Sequence, residues 1–259
     1  MISFFSDTFH LLQRHVRATL RLPIWIAVML VQPIIWLTLF GQLFRRVVEL
    51  PGFGTDSYIQ YLTPGVVIMT ALFSSMWSGM TLIEDLGEGV VDRMLATPVH
   101  RGALMAARVL HTALIVAIQS LIILGLGVLL GARFDSGIVG ILITVLPAIL
   151  LGAGIAALSN GLALLARREE TLVAVVNFLG MPLTFLSTGF IAAELMPAWM
   201  RLMAQGNPVD WAVHAAREAM RTQSFIPVSV WRYSTFLGLF AVVAGLLATR
   251  AFRIYRRAS

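Results

Sequence analysis

The sequence predicts an all-α integral membrane protein with six transmembrane helices. Three observations carry that expectation. Hydrophobic residues make up 58% of the 259 residues and charged ones only 12%, against about 45–50% and about 25% in soluble domains. Six apolar stretches, near 24–44, 58–83, 104–131, 138–166, 171–193 and 233–252, each supply the roughly 20 residues that a spanning helix needs. The arginines sit at the ends of these runs. Mean hydropathy is +0.86, and the whole of 1–259 reads as a single membrane domain.

Residues 1–22 read as an interfacial helix. Phe5, Phe9, Leu12 and Val16 share one face, and His10, Arg14, Arg17 and Arg21 the other. That is the pattern of a basic amphipathic helix lying among lipid headgroups. A signal peptide would place its charge before its apolar run. Pro23 then interrupts the helix before the first span. Loops 45–57 and 132–137 fall on one side of the bilayer, and 84–103 and 167–170 on the other. The side holding both termini carries 12 of the 19 basic residues and the opposite side 7. The excess predicts cytoplasmic termini.

Residues 194–232 are too polar to span and too apolar for a free loop. Pro197 and Asn207-Pro208 punctuate them, leaving two short helices at Leu195–Ala204 and Val209–Thr222. Trp199 and Trp211 suit a membrane–water interface. The segment reads as an extracytoplasmic helical hairpin re-entering the outer leaflet, the alternative being a loop with surface helices. Re-entry requires its backbone ends to be covered by protein or water.

The densest charge lies in Glu84–Arg108, EDLGEGVVDRMLATPVHRGALMAAR. Asp85 and Glu88 have capping-box spacing, which starts a helix near Leu86. Val90, Val91, Met94 and Leu95 share a face, and Pro98 ends the helix at Thr97. The apolar face of this helix, over about 86–97, is too small for a core. It needs a partner surface or the headgroup layer.

Composition excludes several chemistries. All 19 basic residues are Arg; without Lys the chain cannot carry the Walker A phosphate site. Without Cys there is no disulfide, thiol catalysis or Cys-based zinc site. The His residues form no HExxH, and no Ser sits in a GxSxG elbow. The net charge of +6 follows membrane topology, so nucleic acid is not an expected partner. The spans carry no mid-membrane carboxylate, as ion-driven transport would need; any uphill work needs energy from another subunit. Arg108 is expected to snorkel to the cytoplasmic edge, and His111 to hydrogen-bond between helices. Ser74, Ser78, Asn177, Thr184 and Ser187 are candidates for a substrate path, interhelical bonding being the alternative use. Gly127-x-x-x-Gly131, Gly152-x-x-x-Ala156 and Ala241-x-x-x-Gly245 permit close helix packing.

Two motifs then resemble the ABC-2 type permease family, within it the daunorubicin-resistance (DrrB-like) efflux permeases. Asp85, Gly89, Asp92-Arg93, Pro98 and Arg101 are similar to its D-x-x-x-G-x-x-[DE]-R-x-x-x-x-P coupling segment. Met181-Pro182-Leu183, Ser187-Thr188-Gly189-Phe190, Leu195-Met196-Pro197, Asn207-Pro208-Val209 and Arg217 resemble its second pattern. Leu86-Gly87 departs from the coupling segment, where relatives often place charge. The resemblance covers essentially the whole chain. It implies a half-size permease, not itself an enzyme, in the bacterial cytoplasmic (inner) membrane. A second copy or close paralogue would pair with it, the first and fifth spans contributing, with Gly180 and Gly189 candidates to face the partner. Two ATP-binding subunits would supply ATP and Mg sites; this chain would bind no cofactor. The coupling residues would be Asp85, Glu88, Gly89, Val91, Asp92, Arg93, Met94, Leu95, Pro98 and Arg101. The cargo would be a hydrophobic or amphiphilic small molecule, drug-like or lipid. Alternatives are a lipid-linked glycan exporter and an ATP-independent transporter or channel.

Overall fold

The computed structural model describes residues 2–21, 23–49, 57–95, 100–133, 137–221 and 227–258. These form an all-helical bundle: α1 (Ile2–Leu20), α2 (Pro23–Ile35), α3 (Gly41–Leu43), α4 (Tyr58–Met76), α5 (Ser78–Gly87), α6 (Val90–Leu95), α7 (Arg101–Leu129), α8 (Gly137–Ala166), α9 (Glu169–Phe185), α10 (Ala198–Gln205), α11 (Pro208–Arg221) and α12 (Val228–Ala258). Among the described residues, four helical stretches are long and apolar enough to cross a membrane: Tyr58–Gly87, Gly102–Leu129, Gly137–Ala166 and Val228–Arg253. The other two expected spans are shorter or irregular. α2 and α3 are joined by a π-helical turn, Trp36–Phe40, just after Pro33, whose missing N–H breaks the regular ladder. α9 holds 17 residues and ends at Phe185 rather than near 193, Pro182 having already removed a donor from its last turn.

α8 is the centre, packing against α4, α5, α7, α11 and α12. Small residues permit this. A Cβ on Gly154 would lie 2.5 Å from Phe240, and one on Gly161 would lie 3.2 Å from Ala248, so α12 sits close against α8. A Cβ on Gly127 would strike Thr63 of α4 at 2.7 Å. Its expected partner Gly131 does not pack. It lies at φ 101° and ends α7, with Ala132 N–H donating back to the Gly127 carbonyl at 2.8 Å, as in a Schellman stop.

α4 and α5 form one span broken at Trp77. Ser159 of α8 spans the break: its hydroxyl donates to the Met76 carbonyl (2.5 Å) and accepts from the Gly79 N–H (3.0 Å). A Cβ on Gly79 would sit 2.6 Å from the Ser159 carbonyl oxygen. Gly180 and Gly189, expected to face a second copy, instead face α4 of the same chain. A Cβ on Gly180 would meet Phe73 at 2.9 Å, and a Cβ on Gly65 would meet the Gly189 carbonyl at 2.4 Å.

Of the 194–232 region, the two expected short helices form as α10 and α11, and residues 228–232 belong to α12. Asn207 caps α11 by accepting from the Val209 N–H (2.9 Å), with Pro208 in the first helical position where no donor is needed. Its amide also donates to the carbonyls of Leu183 (2.7 Å) and Leu186 (2.9 Å). One side chain thus ties the end of α9 to the start of α11. Arg217 lies 3.8 Å over the Tyr61 ring and donates to the Thr188 carbonyl at 2.9 Å, fastening α11 to the start of α4.

Candidate coupling site at the α6 end of the bundle

α5 runs through Asp85 and ends at Gly87, with Glu88 as its C-cap. Gly89 then takes φ 66°, a left-handed conformation that side chains with a Cβ resist. The chain reverses there and α6 begins at Val90. No helix starts near Leu86, and no capping box forms, because Asp85 is still inside α5 and its carboxylate is engaged elsewhere.

That engagement is an ionic cluster joining three helices. Arg108 of α7 donates to Asp85 and to the Thr81 hydroxyl (3.3 Å). Its side chain is only 6% exposed, so it does not snorkel; a nearby carboxylate costs less than stretching to solvent. Arg14 of α1 approaches the other Asp85 oxygen at 3.8 Å. Thr19 and His111 share a hydrogen bond of 2.8 Å, so His111 does bond between helices. Asp7 accepts the His100 N–H at 3.0 Å. Burial, reinforced by the positive charge of Arg108, pushes the His15 imidazole down to about 3, so it is neutral at physiological pH. Around this cluster lies a cavity of about 200 Å³, lined by Arg14, His15, Thr19, Ser78, Glu84 and Asp85 among others.

α1 is therefore docked on the bundle. Phe4, Thr8, Leu11, His15 and Thr19 face inward, while Phe5 and Phe9 are exposed, which suits contact with lipid.

α6 presents two sides. Val91 is buried in the core and Met94 packs against it, with an Arg14 guanidinium donating to the Met94 sulfur at 3.6 Å. Of the apolar face read from the sequence, Val91 and Met94 are thus covered by the chain itself. Glu88 and Arg93 are exposed, Arg93 donating to the Glu88 carbonyl at 3.0 Å. The side chains of Asp92, Leu95 and Arg101, and all of Pro98, lie outside the described residues.

The expected path residues do not converge. Ser78 is held by Thr112 (2.9 Å) and Asn160 (3.0 Å), inside the bundle beside the ionic cluster. Asn177 is exposed on α9 and bonds its own backbone at Val173. Thr184 and Ser187 are buried where α9 ends, Ser187 donating to the Thr184 carbonyl. Ser74 is half-buried on α4. What sequence reading missed was the Arg14–Asp85–Arg108 cluster. Its signal was present: two opposite charges, each placed just inside the end of a span.

The sequence pattern characteristic of ABC-2 type transporters matches residues 6–220. The chain belongs to the ABC-2 type transporter family. ABC-2 proteins of this kind are the membrane permeases of ABC transporters. The chain is 29% identical over 254 residues to the daunorubicin resistance ABC transporter permease protein DrrB1 of Streptomyces coeruleorubidus, covering 97% of this chain and 86% of that one. It is 29% identical over 215 residues to the putative transport permease ycf38 of Cyanophora paradoxa, covering 83% and 74%. It is 28% identical over 208 residues to the probable doxorubicin resistance ABC transporter permease protein DrrC of Mycobacterium tuberculosis, covering 79% and 72%.

Proposed function

We propose that this ABC-2 permease is the membrane subunit of an ATP-driven exporter of a hydrophobic or amphiphilic small molecule. The naming of relatives for daunorubicin and doxorubicin resistance supports a drug-like cargo. The observation that carries the coupling reading is α6 itself. Its buried side is anchored through Val91 and Met94, and the exposed charges are Glu88, just before the Gly89 turn, and Arg93 on α6. A separate ATP-binding subunit docks at these exposed charges, and the family pattern assigns Asp92, Leu95, Pro98 and Arg101 to the same coupling segment. The Asp85–Arg108 and Arg14–Asp85 contacts pass its motion to α7 and α1. Two such ATPases serve two permease copies, with ATP and Mg held by the ATPases. α6 and both termini lie on the cytoplasmic side of the bacterial inner membrane, following the Arg excess.

The second copy packs on the free faces of α2 and α9, where Val28, Val31, Ile35, Phe178 and Met181 are exposed. At the opposite end, the α10–α11 hairpin sits within the outer leaflet. Gly65 meets Gly189 seven residues into the span that starts at Tyr58, about 10 Å along a helix rising 1.5 Å per residue.

The test reverses both exposed charges, Glu88→Arg with Arg93→Glu, and measures ATPase co-purification in mild detergent together with transport-linked ATP hydrolysis. Both fall if α6 is the docking surface. Wild-type levels of both, in a variant of unchanged helix content, would remove it from that role.

A further inference from the structure

The second cavity lies at the end of the bundle opposite α6. Its volume is about 440 Å³, within the range of ligand pockets, roughly 300–1,000 Å³. It opens between α10, α11 and the first turns of α12. Its floor is formed by Asp210 and His214. Asp210 is buried and accepts from the Thr188 N–H and hydroxyl, each at 2.7 Å, with His214 at 3.4 Å. Burial pushes that carboxyl up, but the hydrogen bonds from His214 and Thr188 outweigh it and hold it below the ordinary range. Asp210 is thus committed to its own neighbours.

The rim is different. Arg201 and Arg232 both line the cavity and are exposed. Among the described residues neither has a carboxylate partner. Arg201 is oriented by the carbonyls of Met196 (3.3 Å) and Glu194 (3.5 Å), and Arg232 stands 5.0 Å from the Tyr233 ring centre. Guanidinium forks of this kind pair with phosphate oxygens through two parallel bonds. The walls are aromatic: the Trp211 and Phe236 rings meet at a tilt of 59°, their centres 5.7 Å apart. The flanking surfaces are apolar too, with Trp199, Leu202 and Met203 exposed on α10, and Trp231 and Leu239 on α12. An occupant must therefore carry a charge to match the rim and an apolar part to match the flanks. A soluble anion meets only the first condition.

We propose that this cavity binds the phosphate headgroup of an anionic membrane lipid, with Arg201 and Arg232 on the phosphate and the acyl chains along Phe236 and Leu239. The site does not depend on the chain being an exporter, and binding requires neither ATP nor an ATPase.

The experiment is native mass spectrometry of the full chain released from nanodiscs of phosphatidylcholine with or without phosphatidylglycerol. Wild type retains phosphatidylglycerol and not phosphatidylcholine. Arg201→Gln/Arg232→Gln weakens retention about tenfold or more, whereas Arg133→Gln, on an exposed arginine at the same end, leaves it unchanged. Phe236→Ser, which keeps both guanidiniums, also weakens it. Should the double variant misfold, Arg232→Gln alone gives the reading, since it breaks only a surface stack. Equal retention by wild type and the arginine variants overturns the proposal. So does displacement of the lipid by inorganic phosphate at comparable concentration, which would mark a site for free phosphate.

Discussion

Asp85→Asn is the substitution from which the coupling cluster has most to lose. The change removes the charge facing Arg108, whose side chain is 6% exposed, while Asp85 itself is 20% exposed. Breaking a buried ion pair by deleting one partner costs about 3–5 kcal/mol, because the other charge is left uncompensated. Asparagine keeps one acceptor near the guanidinium and Asp85 is partly wet, so the lower end, about 3 kcal/mol, applies here. Arg14 is the internal contrast. It meets the same carboxylate at 3.8 Å but is 45% exposed, so Arg14→Gln costs about 0–1 kcal/mol. The assay is unfolding of the purified chain in mixed micelles by SDS titration, read as helix content. An Asp85→Asn/Arg108→Gln double variant closes the cycle, and its loss falls short of the sum of the two single losses, since the pair is one interaction. If Asp85→Asn costs no more than Arg14→Gln, or if the losses add, the cluster is not what holds α5 to α7.

Other substitutions probe separate points. Acidification loosens α1: His15 titrates at 6.5 when free and at about 3 when docked. The released helix therefore takes a proton that the docked one refuses, and docking weakens as pH falls from 6.5 toward 3; amide exchange in α1 speeds up over that window, and does so less in His15→Phe. Gly79→Ala drives a Cβ to 2.6 Å from the Ser159 carbonyl and destabilises by about 1–3 kcal/mol through overpacking, measured by the same titration. Gly89→Ala meets nothing within 4 Å but must hold φ 66°, costing about 1–2 kcal/mol; its readout is reduced ATPase co-purification with little change in unfolding of the bundle. Ser57→Cys, introduced into a chain without cysteine, is labelled by an impermeant maleimide from outside the cell, and labelling from the cytoplasmic side alone would invert the topology.

How much of this was legible in the sequence differs from element to element. The long apolar helices were plain, because a continuous run such as 138–166 has no alternative use in a chain of this composition. The Asn207-Pro208 start of α11 was legible as a break, since Asn is a favoured N-cap and proline a favoured first helical residue. The Asn207 bonds to Leu183 and Leu186 were not, because they join residues more than twenty positions apart. In Glu84–Arg108 the spacing of Asp85 and Glu88 matched a capping box, yet tertiary pairing with Arg108 claimed the carboxylate and Gly89 set the break. The stripe Val90, Val91, Met94, Leu95 was recognised, but periodicity reports that a face is apolar without saying what covers it. Here Val91 goes to the chain's own core. The same gap explains Gly180 and Gly189, small residues whose neighbour proved to be α4.

The most direct test of the coupling account is a single-cysteine crosslink. Glu88→Cys places one thiol on the exposed side of the Gly89 turn in an otherwise cysteine-free chain. A short bifunctional reagent is then applied to membranes containing the ABC ATPase that acts with this permease. The account predicts a crosslink from Glu88→Cys to the ATPase whose yield changes when ATP is added, and none from Arg133→Cys at the other end of α7. No product from Glu88→Cys, or equal products from both positions, would contradict it.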